Sequence, residues 1–190
     1  SINTKTYYEN YPSVARNGTI YYMSRREVGE GRTDIWMSEN LDGRYGEAVN
    51  VGPPINSVSS DQDPFVAPDG SYLIVCLTGR EDSFGGDDLY VSFPEAGGAW
   101  SEPVNLGEGV NSAESEFRPY VTADGKYLFF TALDPDSNDI GRIFWVDARI
   151  LDRFRPGEGQ DLLHLLAEER IGLQGIGHDL QRGDPHRHGL

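Results

Sequence analysis

Pro64-Phe65-Val66-Ala67-Pro68-Asp69-Gly70 decides the fold, because the chain carries it in three versions. The other two are Pro12-Ser13-Val14-Ala15-Arg16-Asn17-Gly18 and Pro119-Tyr120-Val121-Thr122-Ala123-Asp124-Gly125, so the leading prolines lie 52 and 55 residues apart. Self-similarity at a period of roughly 40–50 residues marks repeat architectures, propellers among them. Each copy reads as a short strand opened by Pro and a turn ending in Asn-Gly or Asp-Gly, a strong hairpin signal between apolar runs.

Working outward from the turn, a second strand is predicted over Thr19–Ser24, Tyr72–Thr78 and Tyr127–Thr131. A polar loop rich in Gly or Asp follows. A third strand is expected over Asp34–Ser38, Asp88–Ser92 and Ile143–Val146. The first two repeats continue into a weaker outer strand starting at Tyr45 and Trp100, then close with Val49-Asn50-Val51-Gly52 and Val104-Asn105-Leu106-Gly107. Ile55-Asn56-Ser57 and Val110-Asn111-Ser112 lead into the next repeat, and Ile2-Asn3-Thr4 stands in the same place ahead of the first. Four strands per repeat is the content of one propeller blade. The fold class is therefore all-β, with three blades of antiparallel strands at about 2–54, 55–109 and 110–151. The third is expected to be incomplete, since no Trp or Tyr outer strand follows Val146.

The pattern Pro-x-Val-x-x-(Asp/Asn)-Gly, an aromatic strand, Asp-(Leu/Ile)-(Tyr/Trp)-x-Ser and then Trp-Ser-x-Pro-Val-Asn-Leu-Gly resembles the WD40-like propeller repeat of TolB-type proteins. The resemblance covers about residues 2–151. Repeat two matches best. Repeat one has Arg16-Asn17 at the turn and Tyr45-Gly46-Glu47-Ala48 in place of Trp-Ser-x-Pro, and repeat three has Arg142 where the strand-opening Asp belongs. The resemblance implies a periplasmic or otherwise exported scaffold that binds a protein or peptide. The same family also includes propeller portions of carbohydrate-active enzymes and peptidases, which leaves polysaccharide or peptide substrate as the alternative. Closed propellers use four to eight blades. Three form an open wedge, so the expectation is either part of a longer ring or a homodimer that closes one.

Composition narrows the partners. The formal net charge is −15, with 16 Lys and Arg against 31 Asp and Glu. Nucleic acid is excluded as a main partner, because phosphate affinity rests on clustered cations. No run approaches the ~20 apolar residues of a membrane-spanning helix. The chain starts at Ser1 with no charged-then-apolar leader, as expected of a processed chain or a fragment. Cys76 is the one cysteine, set in an apolar run, and reads as a buried structural thiol. After residue 151 the composition changes. Residues 152–190 hold all four histidines and a single aromatic, with an amphipathic stretch at 161–171 and a Gly-, His- and Arg-rich end that reads as disordered. This tail is either a capping helix or sequence foreign to the repeat.

Chemistry could sit in four places. Acidic residues recur just ahead of the strand-opening prolines: Glu9, then Asp61 and Asp63, then Glu114 and Glu116. In a propeller these lie at the channel rim, either as an acidic funnel for a cation such as Ca²⁺ or a basic partner segment, or as caps on neighbouring backbone N–H groups. Two acidic loops, 82–88 and 134–139, lack the EF-hand spacing and read as solvated loops. Arg25 and Arg80 follow the second strand, as carboxylate-binding groups or as inter-blade ion pairs. Trp36, Trp100 and Trp145 are expected to pack in the core rather than stack on sugars. The repeats contain no histidine, which excludes Ser–His or Cys–His catalysis within them, and no phosphate loop or zinc motif occurs. The expectation is a non-catalytic binder.

Overall fold

The computed structural model describes residues 2–133 and 141–156, and these are all-β apart from one short helix. Blade one contains β1 (Glu9–Val14), β2 (Ile20–Ser24) and β3 (Asp34–Ser38); a small hairpin, β4 (Asn40–Leu41) with β5 (Arg44–Tyr45), precedes its outer strand β6 (Val49–Asn50). Blade two runs through β7 (Asp61–Val66), β8 (Leu73–Thr78), β9 (Asp87–Ser92) and β10 (Val104–Asn105). Blade three has β11 (Glu116–Val121), β12 (Tyr127–Leu133) and β13 (Gly141–Asp147). Each sheet is antiparallel with its strands in chain order, as in a propeller-type blade, and no closed barrel forms among the described residues.

Two expectations about strand placement are corrected. The outer strand of a blade is the short Val-Asn pair, Val49–Asn50 or Val104–Asn105. Tyr45 belongs to the separate hairpin, and Trp100 makes only a single bridge with Pro94. The prolines also do not open the inner strands; each stands fourth in its strand. Ladder pairing skips from Asn10 to Ser13, from Gln62 to Phe65 and from Phe117 to Tyr120, so every Pro occupies a β-bulge. A proline has no N–H to give a ladder, and a bulge is where an inner strand tolerates one. The third blade is three-stranded among the described residues.

The Asp-Gly signal works through the side chain of the Asp or Asn. Asn17, Asp69 and Asp124 each accept a hydrogen bond from the backbone N–H two residues on, and the following Gly18, Gly70 and Gly125 take positive φ. This is an Asx turn followed by a left-handed glycine.

Packing follows the pleat. In β8 one face (Leu73, Val75, Leu77) meets Tyr21 and Ile35 of blade one, while Ile74 and Cys76 meet Val121, Leu128 and Phe130 of blade three. Both faces of this strand are buried, as sheet-on-sheet stacking demands. Each such side chain contributes roughly 1.5–3 kcal/mol from burial. Trp100 packs edge-on to Tyr21 across the first interface, with ring centroids 6.0 Å apart, and Trp36 is buried beneath Arg26. Trp145 departs from its expectation. By register it matches Met37 and Val91, which the next blade covers. No further blade follows β13 among the described residues, so Trp145 is 47% exposed and lies edge-on to Tyr127.

After β13 a 3-10 helix, Ala148–Phe154, spans the point where the composition changes, and Ala148 and Leu151 are buried against blades two and three. The expected helix at 161–171 lies outside the described residues.

Candidate functional site

The inner strands begin with an acid in every blade: Glu9, Asp61 and Glu116. These carboxylates are turned onto the chain's own backbone and hydroxyl groups. Asp61 accepts from the backbone N–H and hydroxyl of Ser57, Glu116 from those of Ser112, and Glu9 from those of Thr4. Each acid thereby ties its strand to the segment just ahead of it, which for Asp61 and Glu116 is the link from the preceding blade. Burial pushes Asp61 up to about 6, against the lowering effects of the Ser57 hydrogen bonds and of nearby Arg80, and it raises Glu116 as well. Of the sequence-predicted rim acids these three therefore act as backbone caps. Glu114 is half-buried, and its carbonyl accepts from Gly86 N–H.

A second repeated polar set was missed at the sequence level. Asn56 makes two hydrogen bonds with the backbone of Ile35 and a third to Asn50, which in turn donates to Asp34. Asn111, Leu89, Asn105 and Asp88 reproduce the chain in blade two. The signal was present as Val-Asn-x-Gly followed by (Ile/Val)-Asn-Ser, but these Asn side chains pair across 6 to 22 residues, which no local rule reports.

The two arginines singled out in the sequence occupy different settings. Arg80 donates from Nη2 to the carbonyls of Pro54 and Ile55, clamping the link between blades one and two. Its working counterpart is Arg26, which donates to the carbonyl of Ile2 and lies 3.7 Å from Glu9. Arg25 is exposed, with its guanidinium over the Tyr8 ring.

The site itself is formed two residues beyond the acids. Tyr11, Asp63 and Arg118 immediately precede the three prolines, and all have left-handed backbones, with φ of 51°, 47° and 56°. A non-glycine residue in this region costs of order 1–3 kcal/mol, and a following proline adds to the conflict. With Asp42 they are the positive-φ non-glycine residues among those described. Strain repeated at one position in three blades points to a place where side chains are aimed.

They are aimed at one another. The backbone N–H of Arg118 donates to Asp63 Oδ2 at 3.0 Å, and Arg118 Nη2 donates to Tyr11 Oη at 3.0 Å. Blade one thus touches blade three across the inner strand of blade two. Asp63 is buried, and burial pushes its carboxyl up to about 6, offset in part by the Arg118 N–H and the Arg118 charge. A groove of about 380 Å³ runs over this junction, walled by the prolines, Val14 and Tyr120 as well as the three bulge residues. Tyr120 is 54% exposed and stands edge-on to Phe65. The groove offers aromatic faces, apolar ridges and one exposed guanidinium.

Other candidates are quieter. The 82–88 loop presses on the next blade: a Cβ at Gly85 would collide with the backbone of Ala113 and Glu114, and Asp88 accepts from the Phe84 N–H. The 134–139 loop lies outside the described residues. Cys76 is buried, as its sequence setting implies, and burial raises its thiol well above the ordinary value. Among the described residues no group of three or more His, Cys, Asp or Glu side chains is placed to hold a metal ion, and no helix is long and apolar enough to cross a membrane. Compared with known proteins, the chain matches no family model and no curated protein.

Proposed function

We propose that this chain is a non-catalytic binding module of the propeller type, and that the groove between its inner strands holds a protein or peptide segment. The observation that carries the reading is the threefold strained bulge. It turns Tyr11, Asp63 and Arg118 into a single groove instead of leaving them in the ladder. A groove of about 380 Å³ with prolines along its walls and exposed tyrosines suits an extended segment with a few side chains, as ligand sites combine apolar walls with a few polar anchors. The rim acids enter the proposal as scaffold, with their oxygens committed to Thr4, Ser57 and Ser112. The exported, TolB-like setting belongs to the same proposal and rests on the repeat resemblance.

The test is a fluorescently labelled random hexapeptide library read by polarisation against the intact chain. Binding that weakens at least tenfold in Tyr120→Ala, with the melting temperature held, is the expected result. Absence of any binding pool, or binding indifferent to Tyr120, would overturn the assignment.

A further inference from the structure

We infer that the groove selects a ligand carrying a single carboxylate among neutral or apolar groups, and that Arg118 is its receptor. The inference rests on the peptide-binding reading above and names the chemistry of the peptide.

Two charged side chains line the groove, Asp63 and Arg118. Asp63 is buried and spends one oxygen on the Arg118 backbone N–H. Arg118 is exposed, and no ion pair between described residues involves it. A guanidinium carries five N–H donors in a fixed fork. Tyr11 Oη takes one Nη2 bond, and the cation is held over the faces of Tyr11 and Phe117, 5.4 and 5.3 Å from their centroids. Among the described residues the remaining donors make no hydrogen bond, and a planar fork matches a carboxylate with two parallel hydrogen bonds. The ring contacts fix the fork in place before any ligand arrives, which lowers the ordering cost of binding.

The rest of the molecule sets the limit on charge. A chain of net −15 repels polyanions at long range, while one guanidinium in a partly enclosed groove attracts a carboxylate at contact. The combination favours one acidic group flanked by apolar residues over an acidic run. The three repeats underline the specificity: the same bulge position carries a phenol, a carboxyl and a guanidinium, so a single blade of the three supplies the anion receptor.

The carboxylate could come from an Asp or Glu side chain or from a peptide C-terminus, and the experiment separates them. A positional-scanning hexapeptide library is prepared in C-terminally amidated and free-acid forms and read by polarisation against the wild-type chain, Arg118→Gln, Tyr11→Phe and Arg16→Gln. Arg16 lies outside the groove and serves as the control. The inference expects pools with Asp or Glu at one position to bind at least tenfold tighter than their Asn or Gln counterparts. A gain of the free-acid over the amidated form in all pools would instead identify a C-terminal carboxylate. Either preference disappears in Arg118→Gln, weakens in Tyr11→Phe and persists in Arg16→Gln. Should Arg118→Gln fail to fold, Tyr11→Phe carries the decision. Peptide binding without acidic preference, or a preference that survives both groove variants, overturns the inference and leaves the binding-module reading standing. If no pool of either form binds, both fall.

Discussion

Each inner strand offers two positions, two residues apart, that behave in opposite ways. The strand-opening residues Glu9, Asp61 and Glu116 are chemically alike in all three blades, and each is hydrogen-bonded to a Ser or Thr four or five residues ahead of it. The bulge residues Tyr11, Asp63 and Arg118 share a strained backbone and nothing else, and their side chains converge on a groove. Repetition here marks scaffold, and the failure to repeat at an otherwise repeated position marks the site. Under the proposed peptide-binding function, the common strain aims the three side chains and their differences suit one asymmetric ligand.

Four experiments break or sharpen this contrast. The largest effect expected is on pH dependence. Asp61 and Asp63 are both held near 6, against an ordinary 3.8. Between about pH 4 and 6 the folded protein keeps protons that the unfolded chain releases, so stability falls as pH rises through that window. About two pH units amount to at most about 3 kcal/mol per group, and Glu116, also raised, acts with the same sign. Chemical denaturation from pH 4.5 to 7.5 should show the decline. Asp63→Asn, which keeps an acceptor for the Arg118 N–H but cannot ionise, should flatten it; an unchanged slope would contradict the assignment.

Next comes the scaffold position alone. Glu116→Ala leaves the Ser112 N–H and hydroxyl without their acceptor beside a small cavity, and should cost about 2–3 kcal/mol in urea unfolding. The third experiment acts on the bulge. Glycine accepts φ of 56° without strain, so Arg118→Gly should raise stability by about 0.5–1 kcal/mol while abolishing carboxylate binding. A gain in stability with a loss of function is the signature of a strained site. Smallest of all, Glu114→Gln should shift stability by less than about 0.5 kcal/mol, since Glu114 joins the Ser112 network through its backbone N–H, which the substitution keeps.

The fold was legible because its signals are local and recur. The turns at Asn17-Gly18, Asp69-Gly70 and Asp124-Gly125 and the continuous apolar runs of the second strands could be read directly. The outer strands were misplaced because Tyr45 and Trp100 look like strand openers, whereas two-residue pairs such as Val49–Asn50 carry too little pattern to find. The sequence left a funnel and backbone caps both open for the acids, since the direction of a side chain such as Glu116, here onto Ser112, depends on the bulge that follows it. Proline before a Val looked like a strand opening, and the bulge was invisible for the same reason. Tyr11 and Arg118 were overlooked because they interact across 107 residues and match no motif. An open wedge was expected, but the exposure of Trp145 among the described residues was not, because its strand resembles its two buried counterparts.

The most direct test is hydrogen–deuterium exchange of the intact chain with and without the tightest library peptide. Amides following the three bulges, at residues 13–14, 65–66 and 120–121, are expected to slow together, while the Asx turns at the opposite strand ends do not change. Protection confined to one blade, to the turns, or to the exposed face around Trp145 would contradict it.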